Sequence, residues 1–103
     1  MREIIRTSEF KRQLKLAKKR GKDLQKLVDI VEKLQNDEPL PEHNKDHNLM
    51  GKFSNFRECH IEPDWLLIYK KEVFVNENNQ EIPVLKLELT GTHSCLLYTS
   101  PSP

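Results

Sequence analysis

A chain of 103 residues forms one domain with one modest core. With 36% hydrophobic residues, 32% charged residues and a formal net charge of +1, it is neither a disordered polyelectrolyte nor a membrane-spanning chain, because its apolar residues are periodic and no apolar run approaches about 20 residues. Cys59 and Cys95 have neither the number nor the spacing of a disulfide framework or a zinc site, and with no signal peptide the chain is expected in the cytoplasm, with no metal and no cofactor.

Residues 3–7 read as a short first strand, and Thr7 or Ser8 can cap the helix that follows. That helix carries Phe10, Leu14 and Ala17 on one face. From Lys11 to Lys22 it holds seven basic residues and no acidic one. Lys11, Lys15, Lys18, Lys19 and Lys22 are candidate phosphate contacts for a polyanion, and the plainer reading is a solvated helix face. Gly21 is a natural C-cap. A second helix is expected over residues 23–35, where Leu24, Leu27, Val28, Val31 and Leu34 form an apolar stripe.

Residues 36–48 read as a loop, broken by Pro39 and Pro41. Over residues 56–62 the pattern alternates, with Arg57, Cys59 and Ile61 on one face and Phe56, Glu58, His60 and Glu62 on the other. Pro63 and Asp64 form a tight turn. Residues 65–69 are apolar on both faces, which marks a central strand. Residues 73–83 are expected to connect this strand to the last one, where Leu85, Leu87 and Leu89 alternate with polar residues and face the helical stripe. The fold class is therefore α+β, with an N-terminal strand and a helical hairpin packed on an antiparallel β-sheet.

Three of the four histidines fall in short polar segments: Lys45-Asp46-His47, Arg57-Glu58-Cys59-His60-Ile61-Glu62-Pro63-Asp64-Trp65, and Thr90-Gly91-Thr92-His93. Histidine exchanges protons near neutrality. Together with Leu49-Met50-Gly51, Leu67-Ile68-Tyr69-Lys70 and the lysine-rich first helix, these segments resemble the YafQ branch of the RelE-type toxins over residues 1–94. The resemblance implies a RelE-like fold and cleavage of mRNA on the ribosome. It also implies a toxin–antitoxin complex with a small DinJ-like antitoxin that carries a DNA-binding half. By position, the family's active residues fall on His47, His60, Asp64, Trp65 and His93. The domain is expected to span residues 1–97.

Where relatives end in an aromatic residue, this chain has Leu97. Residues 98–103 read as a disordered Ser/Pro tail unlike the domain, which points either to divergence or to a frame that departs from about Cys95.

Metal-independent RNA cleavage needs a base for the 2′-hydroxyl, an acid for the leaving 5′-oxygen, and charge stabilisation at phosphorus. His93 fits the acid. Asp64 or His60 fits the base, and His47 fits either a second base or a phosphate ligand. Arg57 or a helix lysine can neutralise phosphate, and Trp65 can stack a base. On spacing alone, Asp64 is also an ordinary turn former, Trp65 an ordinary core residue, and His60 a half-buried, hydrogen-bonded side chain. Two competing readings are a metal-dependent hydrolase, which lacks the usual ligand spacing, and a catalytically impaired RNA- or antitoxin-binding module of the same fold.

Overall fold

A computed structural model describes residues 1–51 and 54–92. The elements are β1 (Glu3–Arg6), α1 (Ser8–Lys19), α2 (Leu24–Gln35), a 3-10 turn (Glu42–Asn44), β2 (His47–Asn48), β3 (Arg57–Glu62), β4 (Trp65–Val75) and β5 (Glu81–Gly91). The sheet has five strands in the order β1-β5-β4-β3-β2. Its β2–β5 portion is antiparallel as expected. β1 instead runs parallel to β5, so the sheet is mixed. The helical hairpin between β1 and the rest of the chain carries β1 to the far edge, beside the last strand.

Local chemistry fixes the hairpin. Thr7 Oγ1 accepts from the Phe10 amide (3.0 Å) and donates to the Glu88 carbonyl (2.7 Å), so one hydroxyl both caps α1 and ties it to β5. At the other end Gly21 takes φ +79°, and the Gly21 and Lys22 amides return to the carbonyls of Lys18 and Ala17. This is the Schellman closure, for which glycine has no steric cost. Asp23 then caps α2 through the Gln25 amide (3.0 Å).

Both helices cover one sheet face. The core there joins Phe10, Ala17, Leu27, Ile30 and Leu34 to Cys59, Ile61, Trp65, Leu67, Tyr69, Leu85 and Leu87. Ile30, rather than Val28, completes the α2 stripe, and Val28 is 45% exposed. The opposite face carries a smaller cluster of Leu66, Ile68 and Leu89, flanked by Leu49 and Phe56.

Leu89 was expected against the helices. A bulge opposite Ile68/Tyr69 turns it over: Tyr69 pairs with Leu87 and Ile68 with Leu89, leaving Glu88 as the extra residue. A second irregularity between His60 and Glu62 rotates Glu62 to the helix side, against the simple alternation. There it meets Lys26 (2.9 Å) and Lys22 (3.5 Å).

The β4–β5 connection is shorter than expected. Val73–Val75 pair with residues 81–83, leaving residues 76–80 as the turn. Pro83 is tolerated because β1 begins its pairing only at Val84. Among the described residues, no helix is long and apolar enough to cross a membrane.

Candidate active site

Of the candidate residues, His47 and His60 lie on the sheet face opposite the helices. The residues around 42–48 form more than a loop. The 3-10 turn leads into Lys45, which has φ +48°, and then into the two-residue strand β2. His47 pairs with Glu58 and Asn48 with Arg57. His47 therefore projects to the same face as Glu58 and His60, while Arg57 projects to the helix side with Cys59 and Tyr69.

The His47 ring is fastened at Nδ1. Nδ1 lies 2.7 Å from the Lys45 carbonyl oxygen. A carbonyl only accepts, so Nδ1 carries the hydrogen. Nε2 then faces Glu58 Oε1 at 3.4 Å. The Glu58 side chain is only 8% exposed, which makes it a sheltered carboxylate beside an open imidazole.

His60 lies two residues further along β3 on the same face and is half-buried. Its carbonyl accepts from the Asn44 side chain (2.6 Å), so the turn before β2 is anchored to the strand that carries His60. Across the sheet His60 pairs with Leu66, and Leu66 pairs with Gly91. Asp64 sits exposed in the turn at that same end of the hairpin. His93, two residues beyond Gly91, lies outside the described residues, as do Cys95, Leu97 and residues 98–103. The expectation of four converging groups thus reaches His47 and His60 on one face, with Asp64 and Gly91 at its end.

Two of the candidate residues are engaged within the fold. Trp65 is 1% exposed and lies in the helix-side core, so its ring offers no open face to a base. Its indole N–H donates to Thr90 Oγ1 (3.0 Å), Thr90 Oγ1 donates to the Leu66 carbonyl (2.8 Å), and the Thr90 amide donates to Gln13 Oε1 (2.9 Å). Trp65 thereby fixes the end of β5, the strand that leads to His93. Arg57 projects to the sheet face opposite that of His60. Its Nε donates to Asp46 Oδ1 (3.1 Å) and its Nη1 to Asn48 Oδ1 (2.7 Å).

Lys11, Lys15, Lys18 and Lys19 are exposed on α1. Lys22 is half-buried, with its ammonium 5.9 Å from the Trp65 ring centre and bridged to Glu62. The Lys26 hydrogen bond, followed by the charges of Lys26 and Lys22, holds the Glu62 carboxyl below its usual pKa. A cleft bordered by Arg12, Arg20, Lys22, Trp65, Gly91 and Thr92 connects the second half of α1 to the end of β5.

Sequence reasoning missed Glu58, Tyr69 and Thr90. Asp46 was singled out only as a neighbour of His47. The signal for Glu58 was available in principle, since it alternates onto the face of His60. The partner of Asp46 was not, because the Tyr69 hydroxyl that donates to it (2.5 Å) comes from the middle of an apolar strand.

Residues 2–98 match the family described as the bacterial toxin of type II toxin–antitoxin system, YafQ. The mRNA interferase toxin YafQ of Escherichia coli K12 is 40% identical over 96 residues, covering 92% of this chain and 95% of the relative. The toxin in the crystal structure of the E. coli DinJ-YafQ toxin-antitoxin complex superposes with a TM-score of 0.75 at 40% identity, over 92% of this chain and 96% of that one. A metal-bound toxin from Helicobacter pylori superposes with a TM-score of 0.77 at 36% identity, over 93% and 99% of the two chains. With nearly its whole length matched in sequence and in fold, the chain belongs to the YafQ family of type II toxin–antitoxin toxins.

Proposed function

We propose that the chain is an mRNA interferase, an endoribonuclease that cuts mRNA in the ribosome and is neutralised by a DinJ-like antitoxin. The observation that carries this reading is the pairing of His47 with Glu58 on the sheet face that also bears His60. This face lies in a chain 40% identical to a relative named mRNA interferase toxin.

The chemistry follows from those positions. A base removes the proton of the 2′-hydroxyl, the 2′-oxygen attacks phosphorus, and the bond to the 5′-oxygen breaks. An acid delivers a proton to that leaving oxygen, giving a 2′,3′-cyclic phosphate and a 5′-hydroxyl. His60 or Asp64 serves as base, and His47 as a second base or a phosphate ligand. His93 serves as acid. Buried Glu58 steadies His47 when its Nε2 holds a proton.

The Helicobacter relative raises the question of a metal. Among the described residues no three His, Cys, Asp or Glu side chains cluster as ligands, so these residues do not fit a metal site and no step is routed through one.

Cleavage of a message on programmed ribosomes tests the reading. His60→Ala and His93→Ala should each lose about 10²–10⁴-fold in rate, the range of one general acid–base partner. A transition-metal chelator that spares magnesium should leave the rate unchanged, and naked mRNA should be cut far more slowly. Ribosome binding without cleavage by the unaltered chain would favour the impaired binding module instead.

A further inference from the structure

Resting on the reading of His47 as part of the catalytic set, we propose that Asp46, Arg57 and Tyr69 are positioning residues, a polar clamp that fixes the His47 imidazole on the active face. The problem they solve is visible in the fold. β2 has only two residues and lies at the sheet edge. Edge pairing of that length does not by itself immobilise a side chain, since terminal and edge segments open most readily.

The residues on either side of His47 are held by one guanidinium. Arg57 Nε reaches Asp46 (3.1 Å) and Nη1 reaches Asn48 (2.7 Å). With residues 46 and 48 both tied to the Arg57 guanidinium on the helix side, His47, paired with Glu58, is held on the other face. Tyr69 supplies the rigid anchor. It is 1% exposed at the middle of the central strand, and its hydroxyl donates to the same Asp46 oxygen at 2.5 Å. Burial first, then the Asp46 hydrogen bond and charge, push the phenol's pKa up, so the hydroxyl remains a donor throughout the working pH range. Arg57 stays charged. Burial opposes its charge, and its hydrogen bond to Asp46, with the charge of that carboxylate, offsets the opposition. On the same strand the Asn44 side chain fastens the preceding turn to the His60 carbonyl, so both histidines share one frame.

The geometry requires the planar fork of arginine. A lysine at 57 can reach Asp46 or Asn48 but cannot hold both in fixed directions. This separates the clamp from the alternative role of Arg57 as a phosphate neutraliser, which lysine would largely preserve.

The test uses Tyr69→Phe, Asp46→Ala and Arg57→Lys, each checked for a native thermal transition. Two quantities are measured: the imidazole ¹H–¹⁵N signals of His47, and kcat and KM for message cleavage on programmed ribosomes. The expected result is a shifted or broadened His47 signal with kcat reduced about 10- to 100-fold, the scale of a small misplacement of a reacting group, and KM unchanged. In a His47→Ala background, Tyr69→Phe should add no further loss. An unchanged His47 signal in Tyr69→Phe and Asp46→Ala, or full activity in Arg57→Lys, overturns the clamp. A wild-type rate in His47→Ala would instead end the catalytic reading of that residue, while the imidazole signals would still judge the clamp.

Discussion

Asp37 shows how one side chain can set an acid limit. It follows α2 with φ +57°, and its Oδ1 accepts from Lys71 Nζ (2.8 Å) and Arg2 Nε (2.9 Å). The Lys71 hydrogen bond first, and the Arg2 hydrogen bond second, lower its pKa to about 2. An unfolded aspartate titrates near ~3.9. A carboxylate whose folded value is depressed contributes stability above the unfolded value and loses it as pH falls through the folded one. The melting temperatures of wild type and Asp37→Asn should therefore differ above pH 4 and converge as pH approaches about 2. Asparagine accepts the left-handed backbone, so the substitution reports on charge rather than strain. Both partners meet Asp37 near the surface, so added salt should shrink the gap. A gap that stayed constant from pH 5 to pH 2 would show that the ion pairs contribute no pH-dependent stability.

At the scale of elements, the α2 stripe and the β5 bulge make separate predictions. Leu27 is 5% exposed within the helix-side core, so Leu27→Ala should cost about 2–5 kcal/mol. Val28, one residue on and 45% exposed, should cost no more than about 0.5 kcal/mol on truncation to alanine. Denaturant midpoints of the two variants check this, and equal losses would mean that the buried face of α2 is misassigned. Deleting Glu88 should remove the bulge and reverse Leu89 and Thr90. The indole N–H of Trp65 would then lose Thr90 Oγ1, and its proton resonance and exchange protection should change. An unaltered indole signal in that deletion would remove the bulge from the account. The helices, their caps and the central strand were legible because period, capping residues and apolar runs are local signals. The stripe was misread at Val28 and Ile30, since the rotation of α2 is set by what lies beneath it. Neither bulge was legible, because an extra residue is defined only against a partner strand. For the same reason the shared face of His47 and His60 required β2, which two residues cannot announce. The burial of Trp65 was the plainer of its two sequence readings, and Thr90 supplies the polar partner that a buried indole needs.

For the whole molecule, a formal net charge of +1 conceals a segregated surface. Many of the charges are paired locally: Arg12 with Glu9, Lys22 and Lys26 with Glu62, Lys70 with Glu72, and Lys71 with Asp37. Among the described residues, Lys11, Lys15, Lys18 and Lys19 enter no ion pair, and all four are exposed on α1. The second half of α1 borders the end of β5, close to where Gly91 lies across from Leu66 and His60. These lysines do not line the cleft there, so a polyanion would meet them along the exposed face of α1. Neutralising its phosphates releases counterions, so ribosome binding should weaken steeply with salt. Each lysine–phosphate pairing that is removed should flatten the log–log slope by about 0.7–0.9. Reversing Lys18 and Lys19 to glutamate should therefore weaken binding and flatten the slope. Lys22→Ala should lower the melting temperature and leave the slope nearly unchanged, because its ammonium is committed to Glu62 and the Trp65 ring. Binding isotherms at several salt concentrations separate the two. If the double reversal leaves both affinity and slope at wild-type values, α1 is a solvated face, and the attraction to RNA must come from elsewhere on the molecule.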